Sequence, residues 1–152
     1  NQSLAVDYLK TAAQLKTGSL HSDYRVAHDL LKSGKVIEAI ESFRRIVEKK
    51  PDFTAAQANL GVALLRSGQT HEAIEALQKA ASVNKKNADV FYTLGLAYAQ
   101  INRTPEAVEN LKAALAANPG HTKAKQYLDH LVNKSSLTGE SDVTPPGSRV
   151  AN

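Results

Sequence analysis

Cysteine is absent from the sequence, which excludes disulfides and every cysteine-ligated zinc site and leaves the redox compartment unread. Methionine is absent too, even at position 1, so the chain reads as an excised or processed piece of a longer protein. Aromatic residues make up only 5% and no basic run occurs, whereas a nucleic-acid binder carries stacking rings or a basic stripe. No apolar run approaches the roughly 18 residues of a membrane span, and no signal-peptide core is visible. Neither sign of charge dominates: 19 Lys and Arg against 15 Asp and Glu leave +4, a weak bias toward acidic partners. Neither nucleic-acid binding nor membrane insertion is expected, and the charge preference is for acidic partners. A cytoplasmic location is expected, with a periplasmic or membrane-tethered parent left open.

What is present is a recurrence. Residues 88–119, moved back by 34 positions, fall on a similar stretch, and moved back again they fall on a third. Ala39, Ala73 and Ala107 share one column; Phe43, Leu77 and Leu111 share another; Gly61 and Gly95 share a third. Pro51 and Pro119 close the first and third copies. In the third copy the fixed positions are Phe91, Leu94, Gly95, Tyr98, Ala107, Leu111, Ala114 and Pro119. This pattern resembles the tetratricopeptide repeat (TPR), whose period is 34 residues.

The resemblance implies an all-α fold, a right-handed α-solenoid of antiparallel helix pairs with a C-terminal capping helix. The expected division is residues 1–17, the second helix of a truncated preceding repeat; 20–53, 54–87 and 88–120, three repeats; 121–133, the capping helix; and 134–152, a flexible tail rich in Ser, Thr, Gly and Pro. The first copy departs from the pattern with Asp23, Val26 and Ala27, and the second with Gln57 and Lys85.

The columns have a steric reason. Two antiparallel helices approach closely only where a small side chain meets a larger one, and Gly61, Gly95 and the three alanines supply the small side. Helices are expected near 20–33, 36–49, 53–67 and 70–83, with Gly34, Gly68 and Asn102 as left-handed stops of first helices. Asp52, Thr70 and Thr104 are expected to cap helix starts. Pro105 and Glu106 strengthen the last of these, since a first-turn proline forfeits no hydrogen bond and an acid suits the positive helix end.

Catalysis finds no support. His21, His28, His71, His121 and His130 show no metal-ligand spacing and read as surface residues. No glycine-rich phosphate loop and no serine–histidine–acid grouping can be argued. The Asn-x-Ser/Thr triplets at Asn1, Asn102 and Asn133 read as chance. The expectation is no enzyme, no cofactor and no metal.

A binding surface remains. In the family the first helix of each pair lines the concave face, which here implies Tyr24, Arg25, His28 and Lys32 in the first copy and Asn59, Val62 and Arg66 in the second. Tyr92, Thr93 and Leu96 follow in the third, and Lys123 in the capping helix. Tyr24 and Tyr92 offer flat amphipathic surface, Asn59 can pair with a peptide backbone, and Arg25, Lys32, Arg66 and Lys123 against Asp89 imply a positive groove. Family members that clamp the carboxylate of chaperone tails use five positions, which carry over to Tyr24, His28, Asn59, Asp89 and Thr93. Only Asn59 keeps the required residue and Asp89 would repel a carboxylate, so that mechanism is not expected. The asparagine ladder of the family's glycosyltransferase members is missing as well, since Arg25 and Thr93 flank Asn59. The leading reading is a non-catalytic protein- or peptide-binding scaffold, a fragment of a larger repeat protein. The alternatives are an architectural self-association module, through the tail or the repeat ends, and a regulatory arm of a multidomain enzyme.

Overall fold

The computed structural model describes residues 19–138. The expected helix over 1–17 and residues 139–152 of the expected tail lie outside the described residues. Within them seven helices follow one another with no strand: α1 Leu20–Lys32, α2 Val36–Lys49, α3 Thr54–Arg66, α4 Thr70–Val83, α5 Ala88–Gln100, α6 Thr104–Ala117 and α7 Thr122–Thr138. Each helix buries one stripe. In α1 it is Asp23, Ala27 and Leu31, one turn apart; in α2 it is Ala39, Ile40, Phe43 and Ile46. Stacking of the pairs joins these stripes into a continuous all-α, TPR-like solenoid.

The turns inside the pairs are copies of one another. Gly34 has φ +81°, Gly68 +83° and Asn102 +59°, the left-handed region that glycine enters freely and asparagine tolerates. Around each, one amide closes a wide loop on the preceding helix. Lys35 N–H donates to the Leu30 carbonyl (2.9 Å), Gln69 N–H to Leu64 (2.9 Å) and Arg103 N–H to Tyr98 (2.9 Å). This is the Schellman ending, which satisfies carbonyls that a helix end would leave bare.

That tight ending overrides two of the expected caps. Only one residue separates the left-handed position from the next helix, so the cap falls on Lys35, Gln69 and Arg103, none of which makes a side-chain cap bond. Thr70 and Thr104 are therefore first helical residues and not caps, and Thr70 is buried. Asp52 does not cap α3 either: Phe53 holds that position without a side-chain bond, and Gln57 Nε2 reaches back to the Pro51 carbonyl at 3.2 Å. True side-chain caps occur at Ser19, which accepts from Ser22 N–H, and at Asn87, which accepts from Val90 N–H. Positions 19, 53 and 87 form a 34-residue column of their own. In its middle copy a ring replaces the cap, since Phe53 packs 5.1 Å from Tyr24.

Between helices the small-residue seam is tight. Ala39, Ala73 and Ala107 are wholly buried. A Cβ on Gly61 would stand 2.4 Å from Leu77 Cγ, and one on Gly95 2.8 Å from Leu111 Cγ. The last helix runs five residues beyond the expected 133, so residues 134–138 are helix and not tail. No glycine or proline interrupts the chain before Gly139, and Ser136 Oγ donates to the Val132 carbonyl (3.0 Å) within the extended turn. Lys123, Lys125, Gln126, Asp129 and His130 are exposed on this helix, the wettable end an array needs.

Candidate functional site

Where the first helices of successive pairs line up, a cleft of about 230 Å³ opens. Tyr24 of α1, Ala55, Ala58, Asn59 and Val62 of α3, and Asn87, Asp89, Val90 and Thr93 around the start of α5 line it, with Leu77 of α4 beneath. Helical spacing explains the α3 contribution, because positions 55, 58, 59 and 62 form one stripe opposite the face that buries Leu60 and Leu64.

The cleft's polar groups are held in place. Tyr24 is half-buried, with Phe43 at 6.0 Å, Phe53 at 5.1 Å and His28 at 6.1 Å around its ring. Its hydroxyl accepts a hydrogen bond from Asn59 Nδ2 at 2.8 Å, which fixes the Asn59 amide across the α1–α3 gap. Thr93 Oγ1 donates to the Asp89 carbonyl one turn back at 2.7 Å. Asn87 Oδ1 is occupied in capping α5.

Of the residues expected at the site, Tyr24, Asn59, Val62 and Thr93 come together in this cleft. The others lie outside its lining. Arg66 Nη1 donates to the Leu31 carbonyl at 3.3 Å, closing the C-terminal end of α1, where a cation is favoured. Tyr92 packs against His121 with ring centroids 5.0 Å apart, so it does not reproduce the setting of Tyr24. His28 and Leu96 are half-buried, and Arg25, Lys32 and Lys123 are exposed. The cleft differs from a positive groove: Asp89 is the charged residue in its lining.

His121, read from the sequence as a surface residue, is instead largely buried and bonded. Its Nδ1 accepts the Ala124 N–H at 3.1 Å, which leaves the Nε2–H to donate to Asp89 Oδ1 at 3.1 Å. The histidine side chain is 9% exposed, against 90% for Asp89. The signal was available, because 121 continues the column 19, 53, 87, and the imidazole occupies the capping place that Ser19 and Asn87 fill elsewhere.

Other surface features differ in kind. A wide depression of about 570 Å³ on the outer side is lined by Arg44, Val47, Glu48, Lys79 and Val83 among others, a mixed-charge surface beside the Arg44–Glu72 ion pair (2.6 Å). Glu106, whose carboxyl the Arg103 hydrogen bond holds below its ordinary value, lies at the start of α6 and not in the cleft. Among the described residues no cluster of three or more metal-ligating side chains occurs, and no helix is long and apolar enough to cross a membrane.

A family model described as the Psidin N-terminal TPR repeats region matches residues 24–134. No curated protein matches the chain in sequence. Among solved structures, MamA superposes with a TM-score of 0.75 at 26% identity, over 80% of this chain and 67% of its own. The first TPR of Spaghetti (RPAP3), bound to the HSP90 peptide SRMEEVD, gives 0.74 at 18%, over 77% and 93%. YrrB, described as a TPR protein with an unusual peptide-binding site, gives 0.71 at 22%, over 82% and 68%.

Proposed function

Since this chain belongs to the family of the Psidin N-terminal TPR repeats region, we propose that it is a non-catalytic scaffold that binds a protein or peptide along the wall formed by α1, α3 and α5. The observation that carries this reading is the Tyr24–Asn59 bond in a cleft whose lining mixes polar and apolar residues. Asn59 retains its carbonyl oxygen and one N–H for a peptide group, while Ala55, Ala58 and Val62 offer apolar surface beside them. Pre-set polar groups in such a cleft bind with little ordering cost. The exposed Arg25, Lys32 and Lys123 flank the wall and suit acidic residues elsewhere on a long peptide. Two of the structural neighbours are described by their peptide sites, which agrees with this use of the fold.

Ala55 is exposed in the cleft lining, so Ala55→Trp fills the space without disturbing a packed contact. Peptides selected from a displayed random library against the wild-type protein should bind Ala55→Trp at least about tenfold more weakly, with helicity unchanged. Equal binding by both proteins would show that the selected peptides sit elsewhere.

One observation favours the second reading, self-association through the end of the array: α7 exposes Val132 at 48% and Leu137 at 88%. Light scattering of the peptide-free protein separates the two. A mass that doubles with concentration and reverts in Val132→Glu/Leu137→Glu supports end-to-end association, and a constant monomer mass rejects it.

A further inference from the structure

We infer that the cleft anchors a single cationic side chain, lysine or arginine, of the bound peptide, with Asp89 as the residue that sets this preference. The inference rests on the peptide-binding reading above and narrows it to a class of residue. Charge is the first argument. Asp89 is the only ionisable group besides the Tyr24 phenol among the residues lining the cleft, and no lysine or arginine joins them. Arg66 is engaged on the Leu31 carbonyl and Arg103 on Glu106, and the exposed Lys123 is not among the lining residues.

Orientation is the second. The Asp89 carboxylate does not sweep freely, because His121 donates to Oδ1 and is itself held through Nδ1 by the Ala124 N–H and packed against Tyr92. One carboxylate oxygen is thereby occupied and the other left to a ligand. Thr93 Oγ1 has given its hydrogen to the Asp89 carbonyl and presents lone pairs, and the Asn59 carbonyl oxygen adds another acceptor.

Shape is the third. Ala55, Ala58 and Val62 provide an apolar track leading toward the acid, and a space of about 230 Å³ takes one extended side chain. A lysine or arginine lays its methylenes on such a track while its charged head meets the carboxylate. A glutamate in the same place would bring two like charges together without a counter-ion.

The test uses three synthetic probes that differ at one position, acetyl-Ala-Leu-X-Leu-Ala-amide with X as lysine, norleucine or glutamate. Each is titrated into the nitrogen-15-labelled full chain, and the amide shifts of Asn59, Val62, Asp89 and Thr93 are followed by NMR. The lysine probe should saturate with an affinity about fivefold above the norleucine probe at low salt, an advantage lost at about 0.5 M salt. Asp89→Asn keeps an oxygen for His121 to donate to and should erase the advantage, so that within this variant the lysine and norleucine probes titrate alike. Two results would overturn the inference and leave the peptide-binding reading standing: equal affinities of the lysine and norleucine probes in this cleft, or a lysine preference that survives in Asp89→Asn. Failure of all three probes to move any cleft amide would overturn both.

Discussion

Truncating Phe43 to alanine is expected to lower folding stability by about 3–5 kcal/mol, the range for a large ring removed from a packed interior. Phe43 is wholly buried and sits in one cluster with Ala27, Leu31, Ile40 and Ile46. It also supports the Tyr24 ring at 6.0 Å. A loss of this size is a large share of the 5–15 kcal/mol that holds an ordinary domain together. The array makes the damage local, because each pair touches only its neighbours. Amides of α1 and α2 should exchange with solvent early in the variant, while those of α5 and α6 keep their protection. The loss of Tyr24's support should carry through to Asn59, so peptide binding weakens before the array as a whole melts. A variant within about 1 kcal/mol of wild type in urea, or exchange that rises equally in all helices, would contradict the placement of this ring.

Gly61→Ala is expected to destabilise by about 1–3 kcal/mol, although alanine is the better helix former by about 1 kcal/mol. The sign is decided by distance. The new Cβ would stand 2.4 Å from Leu77 Cγ and 3.2 Å from the Ala73 carbonyl oxygen, where carbon contacts prefer about 3.5–4.0 Å. Leu77 is fully buried, and its branch point and the Ala73 backbone, not merely a flexible side-chain end, meet the new Cβ, so α3 and α4 must separate. The first copy contains the remedy. It carries Ala27 in the glycine column and Phe43 in the leucine column, a flat ring in place of a branch point. Leu77→Phe should therefore recover part of the loss when combined with Gly61→Ala, with an interaction energy near 1 kcal/mol in a double-mutant cycle. A Gly61→Ala variant as stable as wild type in urea would mean that the two helices do not approach this closely.

The architecture was open to reading from the sequence because helix spacing, left-handed stops and small-residue columns recur with one period. Gly34, Gly68 and Asn102 take the backbone conformation that their chemistry implies. The helix starts were less legible. Thr70 and Thr104 look like caps in isolation, yet the Schellman turn before them uses up the residues a cap would need. Position 53 hides the matching column by replacing a capping side chain with a phenyl ring. Tyr24, Asn59, Val62 and Thr93 share one cleft because helical phase fixes which residues face the same side. The expected cations lie outside the cleft lining, because phase says where a side chain begins, not where its far end goes. Arg66 shows this: its stem rises from the expected helix, but its guanidinium turns to the Leu31 carbonyl. The Asp89–His121 contact spans 32 positions and joins two helix starts, which no single-helix pattern reveals.

The polar ties across the repeats are unevenly shared. The junction between the first and second pairs is braced on both sides, by Tyr24–Asn59 and Arg66–Leu31 inside and by Arg44–Glu72 outside. The next junction is joined at Gln78–Tyr98, between α4 and α5. Polar ties are thus denser at the first junction than at the second. A guest bound in the proposed cleft would thus lie against the junction that carries the fewer of these ties.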